Sequence, residues 1–76
     1  MNIYKFYVYT YLRQDNSPYY IGKGCRRRAY VSHRHITVPK DKSRIVFYQT
    51  NLLEQDALRL EMKYIKLFGR KDLGIR

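Results

Sequence analysis

The residues best suited to chemistry lie close together between positions 7 and 28. Phenols recur there, at Tyr7, Tyr9, Tyr11, Tyr19 and Tyr20. Lys23 follows between two glycines, and three consecutive arginines, Arg26, Arg27 and Arg28, end the stretch. Guanidinium and ammonium groups bind phosphates through charge-assisted hydrogen bonds, while aromatic rings pack against sugars and bases. The stretch therefore favours binding of a nucleic acid.

The whole chain is strongly basic. Sixteen Lys and Arg stand against six Asp and Glu, which gives a formal net charge of +10. A small domain with this charge attracts polyanions and releases their counterions, so nucleic acid is the expected partner. An anionic lipid surface is the alternative, but the sequence offers no basic helix with a wide apolar face. Solubility alone is a third explanation, and the nine tyrosines interleaved with the charges favour nucleic acid over it.

Length and composition predict one small domain over residues 1–76. At this size folding buries only about 60% of the chain's surface, so we expect marginal stability. Cys25 is the single cysteine, which excludes an internal disulfide, and no cysteine–histidine cluster offers a zinc site. The first residues lack the apolar core of a signal peptide, and no stretch is apolar enough to span a membrane. These features predict an intracellular, cytoplasmic protein with no membrane partner.

Three segments have the pattern of strands. Residues 3–13 alternate aromatic and β-branched types, which is a strand signal. The even positions form the better core face, and the odd positions place three phenols on the other. Residues 14–17 predict a turn, after which Tyr19–Ile21 would pair antiparallel with the first strand and end at Gly22 and Gly24. Residues 44–49 would complete a three-stranded antiparallel sheet, with Val46 and Tyr48 on one face.

Two segments have the pattern of helices. Asn51 resembles an N-cap with Glu54 in capping-box position, and the helix would run to about Phe68, before Gly69. A short basic helix is predicted from Cys25 to about residue 33, and residues 34–43 are expected to form an exposed loop. Together with the sheet, these segments predict an α+β fold in which helices flank a three-stranded sheet.

Glu61 lies within the apolar stripe of the long predicted helix. Its neighbours on the helical wheel are Ala57, Leu60, Tyr64 and Phe68. A buried carboxylate requires a partner or a cation, because an unpaired buried charge is strongly unfavourable. One explanation is a half-buried salt bridge with an arginine. The other is a metal ligand that faces the tyrosine side of the sheet, and the pattern alone does not choose between them.

In this order the residues resemble the GIY-YIG nuclease family. The second signature is present as Tyr20-Ile21-Gly22, and the first is replaced by Tyr7-Val8-Tyr9, with Tyr9 eleven residues before Tyr20. Arg28 resembles the arginine that follows the second signature, and Glu61 resembles the family's metal-binding glutamate. The resemblance covers nearly the whole chain. The variant is similar to the subgroup with phage-borne and homing-type members, which would place the protein in a host cytoplasm.

The resemblance implies metal-dependent hydrolysis of a DNA phosphodiester, with DNA as the partner and no small-molecule cofactor. Tyr9 or Tyr20 would assist deprotonation of the attacking water or maintain the local hydrogen-bond network. Arg28 would stabilise negative charge at the phosphate, and Glu61 would hold one divalent ion, Mg²⁺ or Mn²⁺. His33 is a further catalytic candidate. Further DNA contacts are expected from Tyr7, Lys23, Arg26 and Arg27.

Several alternatives stay open. Tyr7 and Tyr9 compete for the role of the first family tyrosine, and Ser32 stands four residues after Arg28, where the family often has a histidine or tyrosine. His33 and His35 follow Ser32. Relatives commonly continue past a segment like residues 69–74 into a glycine-rich stretch, so a natural short form, a fragment and a remnant with weakened activity are the three alternatives for this chain. The rival functions are a catalytically weak nucleic-acid-binding module of the same fold and a small basic structural protein.

Overall fold

The computed structural model describes residues 3–31 and 36–68. The chain forms three strands, two short 3-10 turns and one α-helix within these residues. The elements are β1 (Phe6–Leu12), β2 (Pro18–Cys25), a first 3-10 turn (Arg28–Tyr30), a second 3-10 turn (Lys42–Arg44), β3 (Ile45–Leu52) and α1 (Glu54–Phe68). The sheet is antiparallel with the order β2-β1-β3. The predicted α+β fold with a three-stranded antiparallel sheet is therefore confirmed, with one α-helix in the described part of the chain.

A tight turn joins β1 to β2. The backbone N–H and the hydroxyl of Ser17 both donate to Asp15 Oδ1, at 3.0 and 2.6 Å. Asn16 adopts the left-handed backbone (φ 71°), which asparagine tolerates better than most residues. These contacts set the register of the hairpin, in which Tyr9 pairs with Gly22 and Tyr11 with Tyr20.

The central strand is buried on both faces. On one face, which we call the tyrosine face, Tyr7, Tyr9 and Tyr11 pack with Ala29 and Ile45. On the other, the helix face, Val8 and Ile21 pack against Ala57 of α1. The even positions of β1 were predicted to form the better core face, but the odd positions are at least as deeply buried. Residues from outside the sheet cover the phenols, including Ile36 and Val38 from the segment predicted to be an exposed loop.

The predicted basic helix from Cys25 is wrong over the described residues. β2 continues through Gly22 and Gly24 to Cys25, because Lys23, Gly24 and Cys25 still pair with β1. Only the 3-10 turn Arg28–Tyr30 follows. Ser32, His33 and His35 lie outside the described residues, so the histidine assignments stay predictions.

The helix begins later than predicted. Asn51 is not its N-cap but the next-to-last residue of β3, with a left-handed backbone (φ 60°), and α1 starts at Glu54. β3 is longer than predicted because it pairs with β1 as far as Leu52. The rings of Tyr48 and Tyr64 stack 4.2 Å apart and fix the helix to the sheet. Within residues 3–31 and 36–68, no helix combines the length and apolarity needed to cross a membrane.

Candidate functional site

The candidate residues converge on the tripeptide Gly22-Lys23-Gly24 of β2. A Cβ atom on Gly22 would lie 2.8 Å from Tyr9 Cζ and 2.8 Å from Tyr20 Cε2. A Cβ atom on Gly24 would lie 2.7 Å from Arg28 Cγ. Since real Cβ atoms do not approach so closely, the two glycines make room for the phenols and for the arginine stem. The close approach expected at these glycines is thus made by the protein's own side chains.

Tyr9 lies at the centre of a tyrosine cluster and is inaccessible to solvent. Its ring centroid is 5.4 Å from that of Tyr11 and 6.0 Å from that of Tyr20, and its hydroxyl hydrogen-bonds with both. Burial, followed by the charges of Tyr20 and Tyr11, raises the pKa of Tyr9 far above its ordinary value. Burial also raises the pKa of Tyr11 to about 12. Tyr9 is therefore protonated at neutral pH and acts within a hydrogen-bond network rather than as a base.

Tyr7 and Tyr11 hold the segment 26–29, which we call the arginine turn. The Tyr7 hydroxyl donates to the Arg26 carbonyl at 2.8 Å and accepts from the Ala29 N–H at 3.0 Å. The Tyr11 hydroxyl donates to the Ala29 carbonyl at 2.7 Å. Arg26 adopts a left-handed backbone (φ 54°), and these bonds stabilise that conformation.

The structure gives Tyr7 a different role from the DNA contact that the sequence predicts. Only 7% of Tyr7 is exposed, so its ring offers no surface to a base. Tyr7 instead positions the arginines. Tyr11 was not among the predicted site residues. It is the third tyrosine in the alternating pattern of β1, and that pattern could have identified it.

The positive side chains divide between the two faces of the sheet. Arg26, Arg27 and Arg28 are exposed, and the stem of Arg28 lies over Gly24 on the tyrosine face. Lys23 alternates to the helix face, where its ammonium lies 3.5 Å from Glu54 Oε2 and 5.6 Å from the centre of the Phe6 ring. A phosphate on the arginine turn therefore has no direct contact with Lys23 unless it lies at the edge of the sheet.

Glu61 projects from α1, which covers the helix face, and not the tyrosine side that one explanation required. Burial raises the pKa of its half-buried carboxyl, while the Lys23 ammonium and a hydrogen bond from the Lys23 backbone N–H lower it. β2 is an edge strand, so the backbone N–H groups on its outer edge do not pair with another strand. The Lys23 N–H that binds Glu61 lies on this outer edge. Tyr9, Tyr20 and Arg28 thus reach Gly22-Lys23-Gly24 from one face, and Glu61 reaches it from the other.

The side chains that could hold a metal ion suit Mg²⁺ but not a structural zinc ion. Residues 3–31 and 36–68 contain no group of three or more His, Cys, Asp or Glu side chains that could hold a metal ion. A structural zinc site, which needs four protein ligands, does not fit these residues. Mg²⁺ keeps several waters and often binds one carboxylate together with substrate phosphates. Glu61 fits that requirement, because its carboxylate is half-buried and only partly neutralised by Lys23.

The raised pKa of Glu61 gives a testable pH dependence of stability. Below the ordinary pKa of about 4.5 Glu61 is protonated in both the folded and unfolded states. As pH rises, the unfolded state ionises first, so the wild type loses stability until the pH exceeds the folded-state pKa. Glu61→Gln does not titrate and should become more stable relative to the wild type between about pH 4 and about pH 7. Urea denaturation at both pH values measures this; a stability difference that does not change with pH would contradict it.

No family model, curated protein or solved structure matches this chain. The resemblance to the GIY-YIG nucleases therefore depends on the sequence motifs alone.

Proposed function

We propose that this protein is a metal-dependent endonuclease that hydrolyses DNA phosphodiesters, as the resemblance to the GIY-YIG family implies. One observation carries the proposal: Tyr9, Tyr20, Arg28 and Glu61 all reach the tripeptide Gly22-Lys23-Gly24. Strand pairing places Tyr9 opposite Gly22, close to Tyr20. Arg28 and Glu61 reach the tripeptide from the arginine turn and from α1, which the pairing of the strands alone does not require. Phosphodiester hydrolysis needs a positioned water and neutralised charge more than covalent chemistry, and this set of groups supplies both.

Each side chain has a role that its environment permits. Arg28 is exposed, and its stem lies against Gly24, so its guanidinium can bind a phosphate oxygen beside the tripeptide. Tyr20 is half-buried next to Tyr9, and its hydroxyl can orient a water while Tyr9 stays protonated behind it. Glu61 would hold Mg²⁺, which when bound supplies a Lewis acid for the phosphate and lowers the pKa of a bound water.

The direct test is metal-dependent nicking by the wild-type protein. Purified protein is incubated with supercoiled plasmid in Mg²⁺, in excess EDTA, and in EDTA followed by restored Mg²⁺. Nicked circles should form in Mg²⁺, stop in EDTA and return with the metal, because the phosphate charge is not neutralised without it. Agarose gels measure the fraction nicked. Equal nicking in EDTA and Mg²⁺ would contradict the proposal.

A second candidate function is supported by the burial of Tyr9 and the exposure of the arginine turn. A phenol with a strongly raised pKa is not ionised at neutral pH and so cannot accept a proton from water, whereas the three exposed arginines of the arginine turn can bind phosphates without any catalysis. The chain would then be a nucleic-acid-binding module of the same fold. Salt-sensitive DNA binding without nicking under any metal condition would favour this function over the nuclease.

A further inference from the structure

An exposed aromatic ring lies directly beside the arginine turn. Tyr30 is 42% exposed, and its ring centroid is 6.1 Å from that of Phe47, which supports it from the sheet. The Tyr30 backbone N–H donates to the Arg27 carbonyl at 2.9 Å, so the backbone that carries the ring is fixed beside the arginines. Lys42 places its ammonium 5.7 Å from the ring centre. The structure therefore joins a supported ring to several cations on one surface.

The hydrophobic core does not need the Tyr30 ring to close it. The tyrosine cluster is already closed by Phe47, which packs edge-on against Tyr7 at 4.9 Å. The neighbouring Val31 is 53% exposed, so apolar surface continues beyond the ring. A ring of this kind can stack on a base, and the stacking contact is stronger than an exposed cation–π contact. A stacked base would therefore displace Lys42 from the ring, and the ammonium would remain close enough to bind a neighbouring phosphate.

We propose that Tyr30 stacks on an unpaired nucleobase while the arginine turn binds the adjacent phosphates. Inside a duplex both faces of each base are covered by its neighbours, so a single protein ring reaches a base face only where the strand is unpaired. The preferred nucleic acid is therefore one with an unpaired nucleotide, such as a single strand, a gap or a branch. This inference rests on the proposed function in taking DNA as the partner, but it does not depend on cleavage.

The test compares single-stranded and duplex DNA in EDTA, which prevents metal-dependent cleavage. Fluorescence anisotropy with labelled oligomers of about 12 nucleotides measures affinity for wild type, Tyr30→Ala and Tyr30→Phe. Tyr30→Ala should bind the single strand about tenfold more weakly and the duplex less than about twofold more weakly, because only the strand loses a stacking contact. Tyr30→Phe should keep wild-type affinity. Tyr4→Ala is the matched control, since Tyr4 is a similarly exposed tyrosine at 53%.

A second measurement reports stacking directly. A 2-aminopurine placed in the strand should be quenched on binding to the wild type and to Tyr30→Phe, and should stay bright on Tyr30→Ala. Equal weakening of strand and duplex by Tyr30→Ala, or unchanged quenching, would overturn the inference. Tyr30-dependent strand binding without any plasmid nicking would support this inference and reject only the nuclease. DNA binding without any effect of Tyr30 would reject only this inference.

Discussion

Nicking of supercoiled plasmid in Mg²⁺ should fall about a hundredfold or more when Glu61 is changed to Gln. Glu61 is the proposed metal ligand, and loss of the metal removes several kcal/mol of charge stabilisation, each ~1.4 kcal/mol being a factor of ten in rate. The amide has nearly the same shape as the carboxyl, so the helix should fold normally. Initial nicking rates across a range of Mg²⁺ concentrations measure the effect, because a weakened site shifts the metal dependence as well as the rate.

Glu54→Gln is the matched control for Glu61→Gln. Glu54 lies on the same helix and contacts the same lysine, with its carboxylate 3.5 Å from the Lys23 ammonium, but it is exposed. Its replacement should leave nicking within about twofold, because an exposed ion pair contributes little. DNA binding in EDTA should be kept by both variants. Wild-type nicking by Glu61→Gln, or an equal loss in Glu54→Gln, would remove Glu61 from the metal site.

Gly22→Ala should destabilise the fold by at least about 2 kcal/mol, out of a total of about 5 kcal/mol for a domain of this length. The added methyl would lie 2.8 Å from Tyr9 Cζ, Tyr9 Oη and Tyr20 Cε2. The Tyr9 ring cannot move aside, because it is completely buried among other rings. Urea denaturation followed by circular dichroism measures the free energy of unfolding.

Gly24→Ala provides the comparison at a neighbouring position. Its methyl would lie 2.7 Å from Arg28 Cγ and 2.8 Å from Arg28 Cβ, so the arginine stem and the backbone of the arginine turn must both shift. Gly24→Ala should lose less stability than Gly22→Ala, because Arg28 is exposed whereas Tyr9 is completely buried, and it should displace Arg28. An alanine in a strand normally stabilises relative to glycine by about 0.5–1 kcal/mol. A Gly22→Ala protein as stable as the wild type would show that the tyrosine cluster is looser than its packing indicates.

The alternation of residue types predicted most of the sheet. Residues 3–13 contain β1, and residues 44–49 overlap β3. Ile45 and Phe47 share one face of β3, which packs on the tyrosine cluster, while Tyr48 lies on the other face and packs with the helix. The local pattern is sufficient to predict these strands because successive side chains of a strand point to opposite faces, whatever packs against the sheet.

Long-range contacts account for what the pattern did not predict. The phenols of β1 are buried because Ala29, Ile36 and Val38 return over them, and no local signal carries that information. Asn51 has a side chain that could cap a helix, but the pairing of Leu52 with Phe6 keeps this part of the chain in the sheet. The candidate residues Tyr9, Tyr20, Arg28 and Glu61 were named from the sequence, whereas their approach from two faces depends on the edge position of β2.

The phenols that hold the arginine turn come from the central strand, and this links the surface to the interior. The Ala29 amide lies in a surface turn but is bonded to Tyr7, whose strand pairs on both sides. Its exchange with solvent therefore requires the turn to break its hydrogen bonds to the buried phenols, so this amide should be better protected than one in a free loop. A polyanion meets arginines whose backbone is already ordered, and little of its binding free energy is spent on immobilising them.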